Sequence, residues 1–455
     1  MAYAEYSLSH PDELQIVGVA DPDKFRQKMV SEKFGFSKEY CFDSAEDLAK
    51  VPKFADAVIN GTMDEQHVET SIPLLEKGYD MLLEKPFAVN DEEMSKLIEV
   101  VKRNNNKVMI CHVLRYTPFY SEIKKRILNG EIGDIVNIQT VENVSYHHLS
   151  TSFVRGKWAN SKKCHTSMLL AKCCHDMDIM MWLMGEDKPV SVSSVGAKMQ
   201  FKKENAPENS GTRCLVDCPN VDDCRFSAKR LYLDHPNEWT VYVWRDIEDI
   251  ENPTDEQRKE LLTHSEYGRC IYKCDNDVVD HQSVLVNFKS GATGTHNMVG
   301  GSPEPLRTIR VTGTKGEIYG EFEHAFIEVR KQNPAKDNYF DKEFIDMSHI
   351  SGEGHSGGDE RLTEDFVNFQ RGESHSISCT SIFDSVPGHK VIFLADFTSA
   401  ERDYPDVDVI RQKADISLEE GMLYGIQFTL ERLLERQGLL STDAIDAYNE
   451  ILLNR

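Results

Sequence analysis

Nowhere in these 455 residues does an apolar run reach the roughly 18 positions needed to span a membrane. The opening segment, MAYAEYSLSHPDE, has neither a basic start nor an apolar core, so it does not read as a signal peptide. Basic residues are in short supply: 52 Lys and Arg stand against 76 Asp and Glu, a formal charge of -24. Such a surface repels phosphate backbones and anionic headgroups, which argues against nucleic acid and against membranes as partners. A disulfide framework is not expected either. The eleven cysteines are an odd number, and the composition fits a cytoplasmic chain whose thiols are reduced or bind metal. No internal repeat is visible.

What is present is a βαβ rhythm over the first 115 or so residues. Leu14 to Ala20, Asp56 to Gly61, Tyr79 to Leu83 and Lys107 to His112 read as strands. Lys24 to Phe34, Glu65 to Lys77 and Asp91 to Asn104 read as helices, the last with Asn90 as N-cap. This alternation predicts a doubly wound parallel sheet. After Tyr116 the pattern changes. A helix over Pro118 to Leu128 and a long one from about Thr166 to Met184 are followed by strands without helices between them, which predicts an α+β domain with an open, mostly antiparallel sheet. The predicted division is 1–117, then 118–410 with a polar insert at 201–275, then a helical extension over 411–455. In that extension Leu423, Ile426, Leu430 and Leu434 recur at helical spacing, as a packing or oligomer face would.

Asp21 ends the first predicted strand. In a dinucleotide-binding βαβ unit an acid there hydrogen-bonds the ribose hydroxyls and repels a 2′-phosphate, which favours NAD over NADP. The glycine-rich G-x-G-x-x-G turn expected upstream of it is absent, and the chain opens directly in a predicted helix, Ala2 to Ser9. The expectation is an N-terminal truncation of about one strand and one turn, on the order of 15 residues.

Two constellations carry chemistry. In Glu84-Lys85-Pro86 the proline holds Lys85 extended at the carboxyl end of a strand, the edge where open α/β sheets bind ligands. In the long helix, Lys172, His175 and Asp176 fall three and four apart and are expected on one face. A partly buried His175 there can accept a proton near neutral pH.

Together with the Asn60-Gly61-Thr62-Met63 turn leading to His67, these residues resemble the Gfo/Idh/MocA family, the relatives of glucose–fructose oxidoreductase and inositol dehydrogenase. The resemblance covers roughly residues 1 to 400. Three further segments, at 112–116, 152–158 and 169–176, resemble one bacterial branch of it. The resemblance implies a Rossmann domain, an α/β domain, and NAD(P)-dependent chemistry on a hydroxyl carbon of a sugar, polyol or sugar derivative. It implies cofactor contacts from Asp21, Asn60, Thr62, Met63, His67, Glu84 and Lys85, and an active site around Lys85 and a helix histidine. His175 is the expected base, and Lys85 the expected partner of the reacting oxygen. Many members place an Asp four residues before that histidine. Here the position is Ala171, so Lys172 or Asp176 is expected to serve instead. Arg115, Tyr146, His148, Arg155 and Trp158 are the candidate substrate contacts.

Cys214, Cys218, Cys224 and Cys274 crowd the polar insert. Thiolates there could hold a structural zinc in place of a core. Two other functions fit the same residues: a glycosidase that oxidises and re-reduces its sugar through NAD, and a non-catalytic sugar or dinucleotide binder. A homodimer or homotetramer is expected from the exposed face of an open sheet.

Overall fold

The computed structural model describes residues 2–250, 252–350, 353–399, 404, 406–435, 445, 448, 449 and 452. Five parallel strands form the first half. β1 (Val19–Ala20) pairs with β2 (Cys41–Phe42), and β3 (Ala57–Asn60), β4 (Asp80–Leu83) and β5 (Val108–Ile110) form a second group. Among the described residues no strand is hydrogen-bonded between β1 and β3. Of the strand expected over Leu14 to Ala20, only the last two residues pair, because β2 alone lies alongside it. The helices are set by local chemistry. Asp23 caps Lys24–Phe34, and Gly35 ends it at φ 76°, a backbone that favours glycine. The Asn90 carboxamide accepts the Glu93 N–H at 2.8 Å and starts Asp91–Asn104.

The second half is an eight-stranded sheet. β6 is Ile135–Ser145, β7 Pro189–Ala197, β8 His281–Phe288, β9 Thr293–Ser302 and β10 Leu306–Gly313. β11 is Gly316–Glu321, β12 Phe326–Gln332 and β13 Phe340–Asp346. Their order is β13-β12-β11-β10-β6-β9-β8-β7, antiparallel throughout except for the parallel pair β6 and β9. Along β8 and β10 burial alternates residue by residue, so one face is packed and the other is not. The long helix Met168–Met184 lies on the packed face. It sits so close that a Cβ at Gly294 on β9 would fall 2.4 Å from the Met180 sulfur, so any larger residue there would have to displace the Met180 side chain.

The insert between β7 and β8 is not the coreless segment its polar sequence suggests. Cys214, Ala228, Leu231, Tyr232, Val243 and Leu262 pack into an apolar cluster of their own. In the extension, Val407–Ile416 and Leu418–Glu435 are helical; Leu423 is buried and Leu434 exposed. Residues 436–444, 446, 447, 450, 451 and 453–455 of the expected 411–455 segment lie outside the described residues. No helix of the described residues is long and apolar enough to cross a membrane.

Candidate active site

Most of the sequence candidates gather along one edge. The carboxyl ends of β3, β4 and β5 deliver the Asn60 turn, Glu84-Lys85 and His112 side by side, and Asp21 stands at the end of β1. Asn60 organises its turn from within. Its amide donates to Thr70 and Ser71 at 3.0 and 2.9 Å, and its oxygen accepts from the Thr62 N–H and hydroxyl. His67, almost fully buried, bridges the two turns: Nδ1 lies 2.7 Å from the Pro86 carbonyl and Nε2 3.1 Å from that of Thr62. Burial lowers its pKa, so the ring is neutral and has one N–H to give to one of these two carbonyls. His67 therefore positions the Lys85 turn. Met63 touches the Lys157 ammonium through its sulfur, at 3.3 Å. One Asp21 carboxylate oxygen accepts the Asp23 N–H at 2.8 Å. Glu84 accepts the backbone N–H of Lys85.

The Lys85–Pro86 bond is cis. The Lys85 ammonium donates to the carbonyl of Ala171, on the long helix, at 3.2 Å. One of its three N–H groups is thus used and two remain. Burial alone would depress it, but Cys174, Glu84 and Asp64 outweigh that and hold it above the ordinary lysine range. One turn along the same helix, His175 meets His112 edge to face, with ring centroids 6.0 Å apart. His175 Nδ1 is buried with no partner, and the residue as a whole is half-buried. Burial, then Lys85, His112 and Arg307, push its pKa well below the usual histidine value. His112 follows the same direction by burial, Arg115 and Lys85. His148 does so by burial, Lys172 and Arg307, and His389 is lowered to about 3 by burial and His112.

Four sequence assignments are corrected here. Lys172 and Asp176 do not partner His175. Lys172 pairs with Glu142 at 3.1 Å, and Arg307 ties Glu142 and Asp176 together at 2.7 and 3.1 Å, beneath the helix and against the sheet. The helix turns these side chains to β6 and β10, and His175 to the parallel edge. Arg115 is sealed in a two-point pair with Asp178, at 2.7 and 2.6 Å, and cannot reach a substrate. Arg155 is buried and spends its guanidinium on the Arg269 and Phe226 carbonyls and the Tyr232 hydroxyl, tying the insert to the loop after β6. Of the others, Trp158 donates its indole N–H to Asp64 at 2.8 Å, His148 is stacked flat on Trp239 of the insert at 3.4 Å, and Tyr146 packs beside Phe226. Sequence reasoning assigned no role to His112, Asp178, Glu142, Arg307, His389 or Lys157. Only His112, two residues past strand β5, carried a positional signal.

Cys214, Cys218, Cys224 and Cys274 are free, and no three of them bring their sulfurs to ligand distances. Among the described residues the one set of three with ligand atoms within 4.8 Å of one another is Cys173, Asp176 and His296. The Arg307 guanidinium already holds Asp176, so that set does not suit a cation.

The buried imidazoles make stability sensitive to acid. Each of His112, His148 and His389 has a folded pKa below the unfolded value near 6.5, so the unfolded chain takes up protons first as pH falls. The stability they allow is complete above about pH 6.5 and is lost below it, by about 1.4 kcal/mol per pH unit for each ring. Thermal unfolding should therefore drop steeply from pH 7 to pH 5. A flat Tm over that range would show that the rings can be protonated in place.

Comparison with known proteins agrees with this fold. The family model described as oxidoreductase family, NAD-binding Rossmann fold, matches residues 2–112, and its C-terminal alpha/beta domain matches residues 124–378. The protein YteT of Bacillus subtilis is 25% identical over 365 residues, which cover 77% of this chain and 81% of that one. The scyllo-inositol 2-dehydrogenase (NAD(+)) of the same organism is 28% identical over 178 residues, 38% of this chain and 47% of its own length. A solved levoglucosan dehydrogenase in complex with NADH and levoglucosan superposes with TM-score 0.60 at 18% identity, covering 87% of this chain and 91% of that one.

Proposed function

Because this chain belongs to the Gfo/Idh/MocA oxidoreductase family, we propose that it moves a hydride between a nicotinamide dinucleotide and a hydroxyl-bearing carbon of a sugar, polyol or sugar derivative. The observation that supports this reading best is the meeting of Lys85, from the end of β4, with the helix turn that carries His175. The residues present fit the dinucleotide: Asp21 suits the adenosine ribose and favours NAD over NADP, and the turns after β3 and β4 suit the nicotinamide half. When bound, that cofactor takes or gives the hydride.

The chain's own residues account for the proton and the charge. His175 is neutral at physiological pH and can take the hydroxyl proton at Nε2. Lys85 stays protonated and aims its two remaining N–H groups at the same oxygen, where negative charge develops. His112 meets the His175 ring edge to face with both of its own nitrogens sealed from solvent, so it does not compete for its place as base. The outer face of the large sheet exposes Val195, Leu285 and Val299, which supports self-association through that face. The reading needs no metal.

The test is an assay of the purified protein with NAD against sugars, polyols and glycosides, followed by absorbance at the NADH band. Net NADH is the expected result. Cleavage of a glycoside without net NADH would move the reading to a glycosidase that returns its hydride. NADH that fails to bind would end both.

A further inference from the structure

The insert meets the loop after β6 at a seam, and the seam encloses a cavity of about 150 Å3. Ser152, Lys157, Trp158, Tyr242, Arg245 and Tyr267 line it. Two contacts place it beside the turn after β3: Trp158 donates to Asp64, and Lys157 touches Met63. On its far side the insert is fastened to the first half of the chain by Arg26, which binds Glu248 at 2.7 Å.

The cavity holds an imbalance of charge. The Lys157 ammonium lies 4.1 Å from the centre of the Trp158 ring and the Arg245 guanidinium 5.4 Å from that of Tyr242, yet neither pairs with a carboxylate among the described residues. Asp246 lines the same space without binding either cation, and Asp64 gives an oxygen to the Trp158 indole instead. In a chain with a net charge of -24, two adjacent bare cations are not what surface composition alone would supply. Burial first, and then the neighbouring Arg245, lower Lys157 to about 8, against the pull of Asp64. Ser152, 3% exposed, lines the same cavity, and its hydroxyl is buried with no partner. Two cations and a free hydroxyl donor converging on one small space are a complementary set for an oxyanion.

We propose that Lys157 and Arg245, with the Ser152 hydroxyl, form an oxyanion site at the seam of the insert, taking a phosphate or carboxylate of the ligand that fills the cleft. This deepens the dehydrogenase reading and rests on it only for the identity of that ligand. The oxyanion has two sources: the diphosphate of the dinucleotide, or an acidic group on the sugar.

The test is calorimetric titration of the full chain with inorganic pyrophosphate, glucose 6-phosphate and glucuronate, and fluorescence titration with NADH. Wild type is compared with Lys157→Gln, Arg245→Gln and the double variant. Neither cation has an ion pair to lose, so the variants should keep the wild-type Tm. At least one anion should bind wild type tenfold or more tightly than the double variant. A parallel tenfold loss for NADH assigns the site to the dinucleotide. Unchanged NADH with a loss for glucose 6-phosphate or glucuronate assigns it to an acidic sugar. Anions that bind both proteins alike, or neither, overturn the proposal. If NADH fails to bind wild type while an anion binds and is lost in the double variant, the dehydrogenase reading falls and the oxyanion site stands.

Discussion

Replacement of Lys85 by Met should lower kcat by about 10²–10³-fold while NADH affinity stays within a few-fold of wild type. Methionine keeps the length and the apolar stem of lysine but removes every N–H. The bond to the Ala171 carbonyl disappears, and with it the two donors left for the reacting oxygen. The ammonium stays charged under all ordinary assay conditions, because Cys174, Glu84 and Asp64 together outweigh its burial. Its loss therefore removes a fixed positive charge from the place where an alkoxide must form. Stopped-flow measurement of hydride transfer, with NADH binding followed separately by fluorescence, separates the two roles. Full turnover in the variant would remove Lys85 from the chemistry.

The second large effect concerns stability. Asp178→Ala should cost about 3–5 kcal/mol, because it leaves the Arg115 guanidinium buried and unpaired. Both side chains are 4% exposed, so water cannot take the place of the carboxylate. The double variant Arg115→Met, Asp178→Leu should recover most of the loss, since two apolar groups of similar volume replace a desolvated pair. Chemical denaturation of the three proteins measures both quantities. A single-variant cost under about 1 kcal/mol would show that the pair is not sealed. The pair also joins the two elements that carry the facing imidazoles: Arg115 lies three residues after His112, and Asp178 three residues after His175. The single variant should therefore lose activity before it unfolds, through the spacing of the two imidazoles.

The parallel half of the fold was legible because its signals are local. Asn90 capped the helix it was expected to cap, and the strands before Lys85 and His112 were marked by unbroken apolar runs. Lys85 could be located because a strand end and a proline fix a backbone position. The face of the long helix was not legible. Spacing puts Lys172, His175 and Asp176 close together on a helix wheel, but the helix is apolar nearly all round, so its pattern does not say which side meets the sheet. The partners that decide the matter, Glu142 and Arg307, lie on strands 30 or more residues away. Arg115 and Arg155 misled for a related reason. An arginine destined for a substrate and one destined for a buried pair look alike until their partners are known. The insert misled through composition: a few apolar residues, widely spaced in sequence, are enough for a small core once the chain folds back on itself.

That fold-back begins at a single point. Ala197 at the end of β7 faces His281 at the start of β8 in register, and Asp280 accepts the backbone N–H groups of Met199 and Gln200 just above. The whole insert thus leaves and re-enters the sheet across the width of one residue pair. Topologically it is a hairpin turn that has been lengthened, and lengthening a closed loop adds little entropic cost. Beyond that junction the insert is held by side chains rather than by the ladder: Gln200 donates to the Gly300 carbonyl on β9 at 2.7 Å, and Arg155 ties it to the loop after β6. In this architecture the residues proposed for recognition hang from one strand junction, while those proposed for proton transfer sit on the helix and the parallel sheet.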